Sequence, residues 1–263
     1  MSIQSVKRAI TILTLFTPET PRLGITDISR QMNLPKPTIH GLVQTLIEQD
    51  FLIQDKETRK YSLGLRIHEL GTILSGTLKI NQVGGSVAQR LARDTGLMVR
   101  LATWDRDFVL ITLNLFPTVD DSFLFRQLGL GPRVPAYCTG VGKAILSTYT
   151  SQTLDTFLQR TRLTGYTART ITDPAALAAQ LEEARTRGYT RESEEYLHGL
   201  ACIAAPVFDA TGRATCAVSL SGAPGLLDRP DLSELADRLR QAAAEISLNM
   251  GCPASLLMAM RQS

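Results

Sequence analysis

Residues 25–49, ITDISRQMNLPKPTIHGLVQTLIEQ, restrict the fold more than any other stretch, because two helical periods meet there across a very short break. In the first, Ile28 and Met32 share a face, and Thr26 stands where a hydroxyl can cap the helix start. The segment NLPKP, Asn33 to Pro37, interrupts that helix, and the pattern predicts a second from Thr38 to Gln49. Within it Ile39, Leu42, Val43 and Leu46 recur at i, i+3, i+4 and i+7, which makes one face apolar and buried. At about 100° per residue the opposite arc holds Pro37, Thr38, Gly41, Gln44, Thr45 and Glu48, with Lys36 and His40 on its edges. A polar, mostly uncharged face on the second of two closely joined helices suits a helix-turn-helix, whose second helix enters the DNA major groove.

The next residues extend that reading. FLIQ (Phe51 to Gln54) and KYSL (Lys60 to Leu63) flank the polar tip DKETR, which predicts a hairpin, or wing. Arg59 and Lys60 at its base can reach phosphates, setting affinity and register without reading sequence. Residues 1–80 hold 10 Lys+Arg against 7 Asp+Glu and residues 81–263 hold 18 of each, so the net charge of +3 lies in the N-terminal part, where a polyanion would dock. The alternative for this segment alone is a small helical cap with a solvated charged loop.

Several other classes are disfavoured. CTGVGKAILS, Cys138 to Ser147, imitates a phosphate-binding loop, but Tyr137 replaces the first glycine and Ala144 the hydroxyl that would ligate magnesium. Lys7 and Arg8 precede the apolar run AITILTLF, yet Thr11 and Thr14 interrupt it and no small-residue cleavage site follows, so a short amphipathic helix is expected instead of a signal peptide. No run approaches the roughly 20 apolar residues of a membrane span. Cys138, Cys202, Cys216 and Cys252 are widely spaced, which argues against zinc and disulfides and for a reducing cytoplasm. His68 has no second ligand at i+4, and no metal or cofactor is expected. A catalytic reading would use Cys202 or Ser193 with His198, or the acids Glu192, Glu194 and Glu195, but no nucleophile elbow or metal spacing supports it. No catalytic residue is therefore expected.

Past the wing, Leu65, Ile67, Leu70, Ile73 and Leu74 predict a helix leaving it, and Lys79 to Thr95 predicts another. Leu97 to Trp104, Asp107 to Leu115, Cys202 to Asp209 and Arg213 to Gly222 read as strands, and Leu177 to Gly188 and Leu232 to Met250 as helices. Strand pairs with helices outside them indicate an α+β domain on an antiparallel sheet.

The motifs LPKPTIHGLVQTL with its wing, GPRVPAYCTGVGKAIL, and RGYTRESEEYLHGLACIAAPVFDATGRATCAVSLSG occur in an order and spacing that resembles the isocitrate-lyase-regulator (IclR) family of bacterial transcription factors. The resemblance covers nearly the whole chain. It implies a winged helix-turn-helix at 1–64, a linker helix at 65–78 and a GAF-like effector-binding domain at 79–255. It also implies binding of a double-stranded DNA operator as a homodimer or homotetramer, without a membrane partner, under control of a small-molecule effector. The false phosphate loop becomes a helix start whose Gly140 and Val141 amides face an effector carboxylate. Family pocket positions fall further on Phe123, Arg126, Val134, Glu192, Leu200, Cys202, Ser219 and Ser221. Without the resemblance, the serines and Cys202 read as sheet packing. Two residues depart from the family pattern: Gly41 stands where many relatives carry arginine, and Arg126 where an apolar residue is common. Arg126 is expected either to meet an effector carboxylate or to pair with Glu192.

Overall fold

The computed structural model describes residues 2–117, 133–226 and 230–260. The chain forms two compact units, Met1–Thr77 and Leu78–Ser263.

The first unit opens with α1 (Gln4–Leu13), then α2 (Ile25–Met32) and α3 (Lys36–Glu48). The cap of α2 is not Thr26, which is an exposed residue inside the first turn. Gly24 takes the N-cap position, and its amide donates to Asp27 Oδ2 at 3.1 Å. The acid can reach back to the cap amide from the third helical position, whereas Thr26 lies one residue short of it. Helix α2 ends at Asn33, whose φ of 50° is left-handed. There the Leu34 amide returns to Ser29 O and the Ser29 hydroxyl to Leu34 O, which closes the turn. Helix α3 then begins at Lys36, two residues before the expected Thr38. Pro37 starts the helix instead of breaking it, because first-turn amides have no intrahelical acceptor to lose.

Strands β1 (Leu52–Gln54) and β2 (Tyr61–Leu63) pair antiparallel, and Leu23 bridges to Tyr61. Beneath them Ile12, Ile28 and Ile39, all fully buried, pack with Val43, Leu46 and Leu52. These residues hold α3 by its apolar face. Helix α4 (Leu65–Thr77) follows and buries no residue.

The second unit starts with α5 (Lys79–Thr95) and the hairpin β3 (Met98–Asp105) and β4 (Phe108–Leu115). Next come β5 (Arg133–Pro135), α6 (Gly140–Leu146), α7 (Ser151–Arg160) and α8 (Pro174–Arg187). Helix α8 starts three residues before the expected Leu177 because the Asp173 carboxylate accepts the Ala176 amide at 2.7 Å and Pro174 fits the first turn. The chain continues through β6 (Thr190–Ser193), β7 (Ala201–Phe208), β8 (Ala214–Gly222), α9 (Leu232–Asn249) and α10 (Ala254–Met260).

The six strands form one antiparallel sheet in the order β5-β4-β3-β8-β7-β6. Alternation along each strand separates two faces. Val99, Leu101, Ile203, Val218 and Leu220 pack with residues of α5 and α9, such as Leu91, Leu239 and Ile246. On the other face Ala102, Ala204 and Ala217 meet Val141, Ala144 and Ile145 of α6. No helix among the described residues is long and apolar enough to cross a membrane.

Candidate functional site

The polar face of α3 is open as expected: Lys36, Pro37, Thr38, His40, Gly41, Gln44 and Thr45 are all exposed, as are Thr26, Arg59 and Lys60. A Cβ added at Gly41 would meet nothing within 4 Å, so a side chain can leave the backbone there without collision. Thr45 Oγ1 donates to Gly41 O at 3.1 Å, and Gln44 Nε2 lies 3.4 Å from Glu48 Oε1. At the wing tip Asp55 Oδ1 accepts the Glu57 and Thr58 amides at 3.0 and 2.8 Å, and Arg59 adopts a left-handed φ of 59°. The two basic side chains thus stand on a hydrogen-bonded turn and project from it.

The second candidate site lies on the sheet face beneath α6. Pairing aligns Glu192 with Cys202 and Cys202 with Ser221 in one cross-strand row. The adjacent row runs Thr190, Ala204, Ser219, Arg100. Directly opposed residues share a face, so Glu192, Cys202, Ser219, Ser221 and Arg100 all belong to it. The serine hydroxyls are 3.3 Å apart and buried. Gly140 lies close above: a Cβ there would sit 2.4 Å from Cys202 Sγ, so only glycine lets the first turn of α6 approach the sheet this closely. Thr190 Oγ1 donates to Gly140 O at 3.0 Å and fixes that approach. The first intrahelical bond of α6 comes from the Lys143 amide to Thr139 O, which leaves the Gly140 and Val141 amides without intrahelical acceptors. The Gly140 amide faces the Cys202 sulfur. Val134 and Leu200 are buried. Phe123 and Arg126 lie outside the described residues.

Burial dominates the electrostatics. It raises the Glu192 carboxyl to about 7, against the lowering effect of the Glu195 amide that donates to Glu192 Oε1 at 2.6 Å. Burial also pushes the Cys202 thiol up, so it keeps its proton and donates it to Glu192 Oε2 across a sulfur–oxygen distance of 3.4 Å. Such a thiol is a poor nucleophile. His198, its suggested base, is exposed. Lys143 is fully buried, donating to Gln180 Oε1 at 2.6 Å and pairing with Glu195 Oε1. Among the described residues no cluster of three or more His, Cys, Asp or Glu could hold a metal.

Arg100 is absent from the residues that sequence reasoning selected. Its neighbours in LMVRLATW alternate, which assigns it to the face of Met98 and Ala102, but alternation does not reveal that this face is covered. A separate groove of about 1060 Å³ is lined by residues such as Trp104, Tyr149, Arg185, Pro206, Arg213 and Arg240 and includes none of the expected effector residues. Arg185 there is bonded to Ser147 O and Tyr149 O, and Arg240 to Asp237, so two of its cations are already engaged.

The description "Bacterial transcriptional regulator IclR C-terminal" fits residues 74–248 and "IclR helix-turn-helix domain" residues 5–56. The chain is 33% identical over 96% of its length to the HTH-type transcriptional regulator XynR of Escherichia coli (strain K12), covering 99% of that protein. It is 33% identical over 95% of its length to the glycerol operon regulatory protein of Streptomyces coelicolor, covering 97% of it. The crystal structure of Thermotoga maritima IclR is similar with a TM-score of 0.73 and 26% identity, across 95% of this chain and 100% of that one.

Proposed function

The chain belongs to the IclR family of bacterial transcriptional regulators, and we propose that it binds operator DNA as a two-fold homodimer or homotetramer and alters that binding when a small organic acid enters its second unit. In this reading residues 1–64 are the reading head, 65–78 the linker and 79–255 the sensor. The exposed polar face of α3 above a buried apolar face carries the DNA-binding assignment. One such helix reads only a few base pairs, so two-fold repetition supplies the remaining specificity. Gln44 and Thr45 reach base edges, while Arg59 and Lys60 hold phosphates.

The effector assignment rests on the buried polar rows beneath α6. A carboxylate leaving water needs hydrogen bonds to offset its desolvation. The Val141 amide, the Ser219 and Ser221 hydroxyls and, in competition with Cys202, the Gly140 amide supply them. Val134 and Leu200 form the apolar wall expected of a ligand pocket. The protein works in the cytoplasm, consistent with four free buried cysteines, and performs no catalysis.

Fluorescence anisotropy on the DNA adjoining the protein's own gene tests the first assignment. Preference for paired half-sites supports it; binding as a lone monomer, or failure to bind DNA beside a functional protein partner, refutes it. Ser219→Ala with Ser221→Ala in one protein tests the second. The variant should lose the thermal shift caused by an acid while still binding DNA without ligand.

A further inference from the structure

The register between β3 and β8 places Arg100 opposite Ser219, with Ala204 and Thr190 beyond it in the same row. The residues across which its side chain can extend are small: Ser219, Ser221, Ala204 and Cys202, with Gly140 above them. A large cation on β3 therefore shares a sheet face with the polar groups of the effector site. Arg100 Nε is covered and has no hydrogen-bond partner among the described residues, although the residue keeps part of its surface open. Other arginines of this unit are matched with acids, as Arg90 is with Glu245 and Arg160 with Asp107.

The nearest buried acid does not fill that role. Glu192 spends its two oxygens on the Glu195 amide and the Cys202 thiol, and burial holds it toward the neutral form. Burial disfavours the charge on Arg100 as well, but a guanidinium does not lose its proton in a protein. Among the described residues Arg100 thus forms no ion pair, and a covered cation is costly unless an anion joins it. A planar guanidinium matches a carboxylate with two parallel hydrogen bonds.

We propose that Arg100 selects the charge of the effector: the site takes an acid whose carboxylate pairs with the Arg100 guanidinium, and it rejects the uncharged amide of the same acid. The proposal rests on the effector reading given above. It assigns to Arg100 the charge pairing that the sequence suggested for Arg126.

The test uses the full chain and thermal unfolding with millimolar glycolate, lactate and benzoate, each beside its amide. Wild type, Arg100→Gln, Arg100→Lys and the Ser219→Ala/Ser221→Ala double variant are compared. At least one acid should raise the wild-type melting temperature, as a ligand specific to the native state must, while its amide does not. Arg100→Gln should abolish that shift and Arg100→Lys retain part of it. Without ligand, Arg100→Gln should melt no lower than wild type, since it removes an unmatched buried charge. If Arg100→Gln responds fully while the serine variant does not, the inference fails and the pocket reading stands. If both respond fully, the pocket reading fails too. A wild type deaf to all three acids overturns both. A drop of several degrees for unliganded Arg100→Gln would make Arg100 a structural residue and overturn the inference alone.

Discussion

Lys143, the lysine of the false phosphate loop, should be worth more to the fold than any surface ion pair. It is fully buried on α6, with Glu195 and Gln180 as its partners. Glu195 is buried as well, and its Oε2 has no hydrogen-bond partner among the described residues. Lys143→Met removes the cation and leaves the carboxylate in the interior, a change that typically costs about 3–5 kcal/mol. For a domain of this size each kcal/mol lowers the melting temperature by about 2–4 °C, so a fall of about 6–20 °C is expected. Trp104 is the single tryptophan of the chain and lies in the second unit, so its fluorescence reports unfolding of that unit alone. The double variant Lys143→Met/Glu195→Leu should recover most of the loss, because a well-packed apolar pair often matches a buried ion pair. A single-variant cost below about 1 kcal/mol, or costs that simply add in the double variant, would refute the argument that the pair is a coupled buried unit.

Arg59→Ala and Lys60→Ala should each weaken DNA binding on all sequences alike and reduce the slope of log K against log salt by about one; an altered base preference in a half-site competition assay would show that the wing reads bases. Glu192 has a folded-state value of about 7 against an ordinary 4.5, so its contribution to stability is complete below about 4.5 and lost as pH rises through 7. Glu192→Gln should remove that slope, an effect of at most about 3 kcal/mol, in urea unfolding followed from pH 4.5 to 8; a parallel pH profile for the two proteins would contradict the assigned burial effect. Gly142→Ala should prevent stable folding of the second unit, because the added Cβ would lie 2.2 Å from Ala136 O, a backbone atom that cannot rotate away; a wild-type melting curve would count against this close approach.

The strongest local signals were legible because they depend on neighbours in sequence. The apolar period of Ile39, Leu42, Val43 and Leu46 fixed the inward face of α3, and therefore which residues face out. Lys79–Thr95 has the bounds its periodicity predicts, since Gly96, at a φ of 67°, stops it. The shorter elements β5, β6, α7 and α10 were not selected because segments such as TRES lack a period long enough to stand out. Thr26 and Thr38 do not start their helices because proline and acid chemistry at the preceding or following positions competes with a hydroxyl, and the winner is set by backbone geometry.

The sequence by itself determined the family, the two-part organisation of reading head and antiparallel-sheet unit, and the residues of the polar α3 face. It also showed Ser219 and Ser221 on one side of their strand, since a period of two forces it. Only the tertiary structure decided what lies opposite them. Arg100 is 119 positions from Ser219 in the chain, and their adjacency follows from the antiparallel register of β3 with β8. Whether a charged residue on an alternating strand meets solvent or a covered hollow depends on what packs over that face. Here α6 packs on that face at Ala102, Ala204 and Ala217, held close by a glycine with no Cβ to collide with Cys202. Lys143 gives the same lesson: its motif only imitates a phosphate loop and assigns the side chain no partner, and long-range packing against Glu195 and Gln180 made it a buried strut.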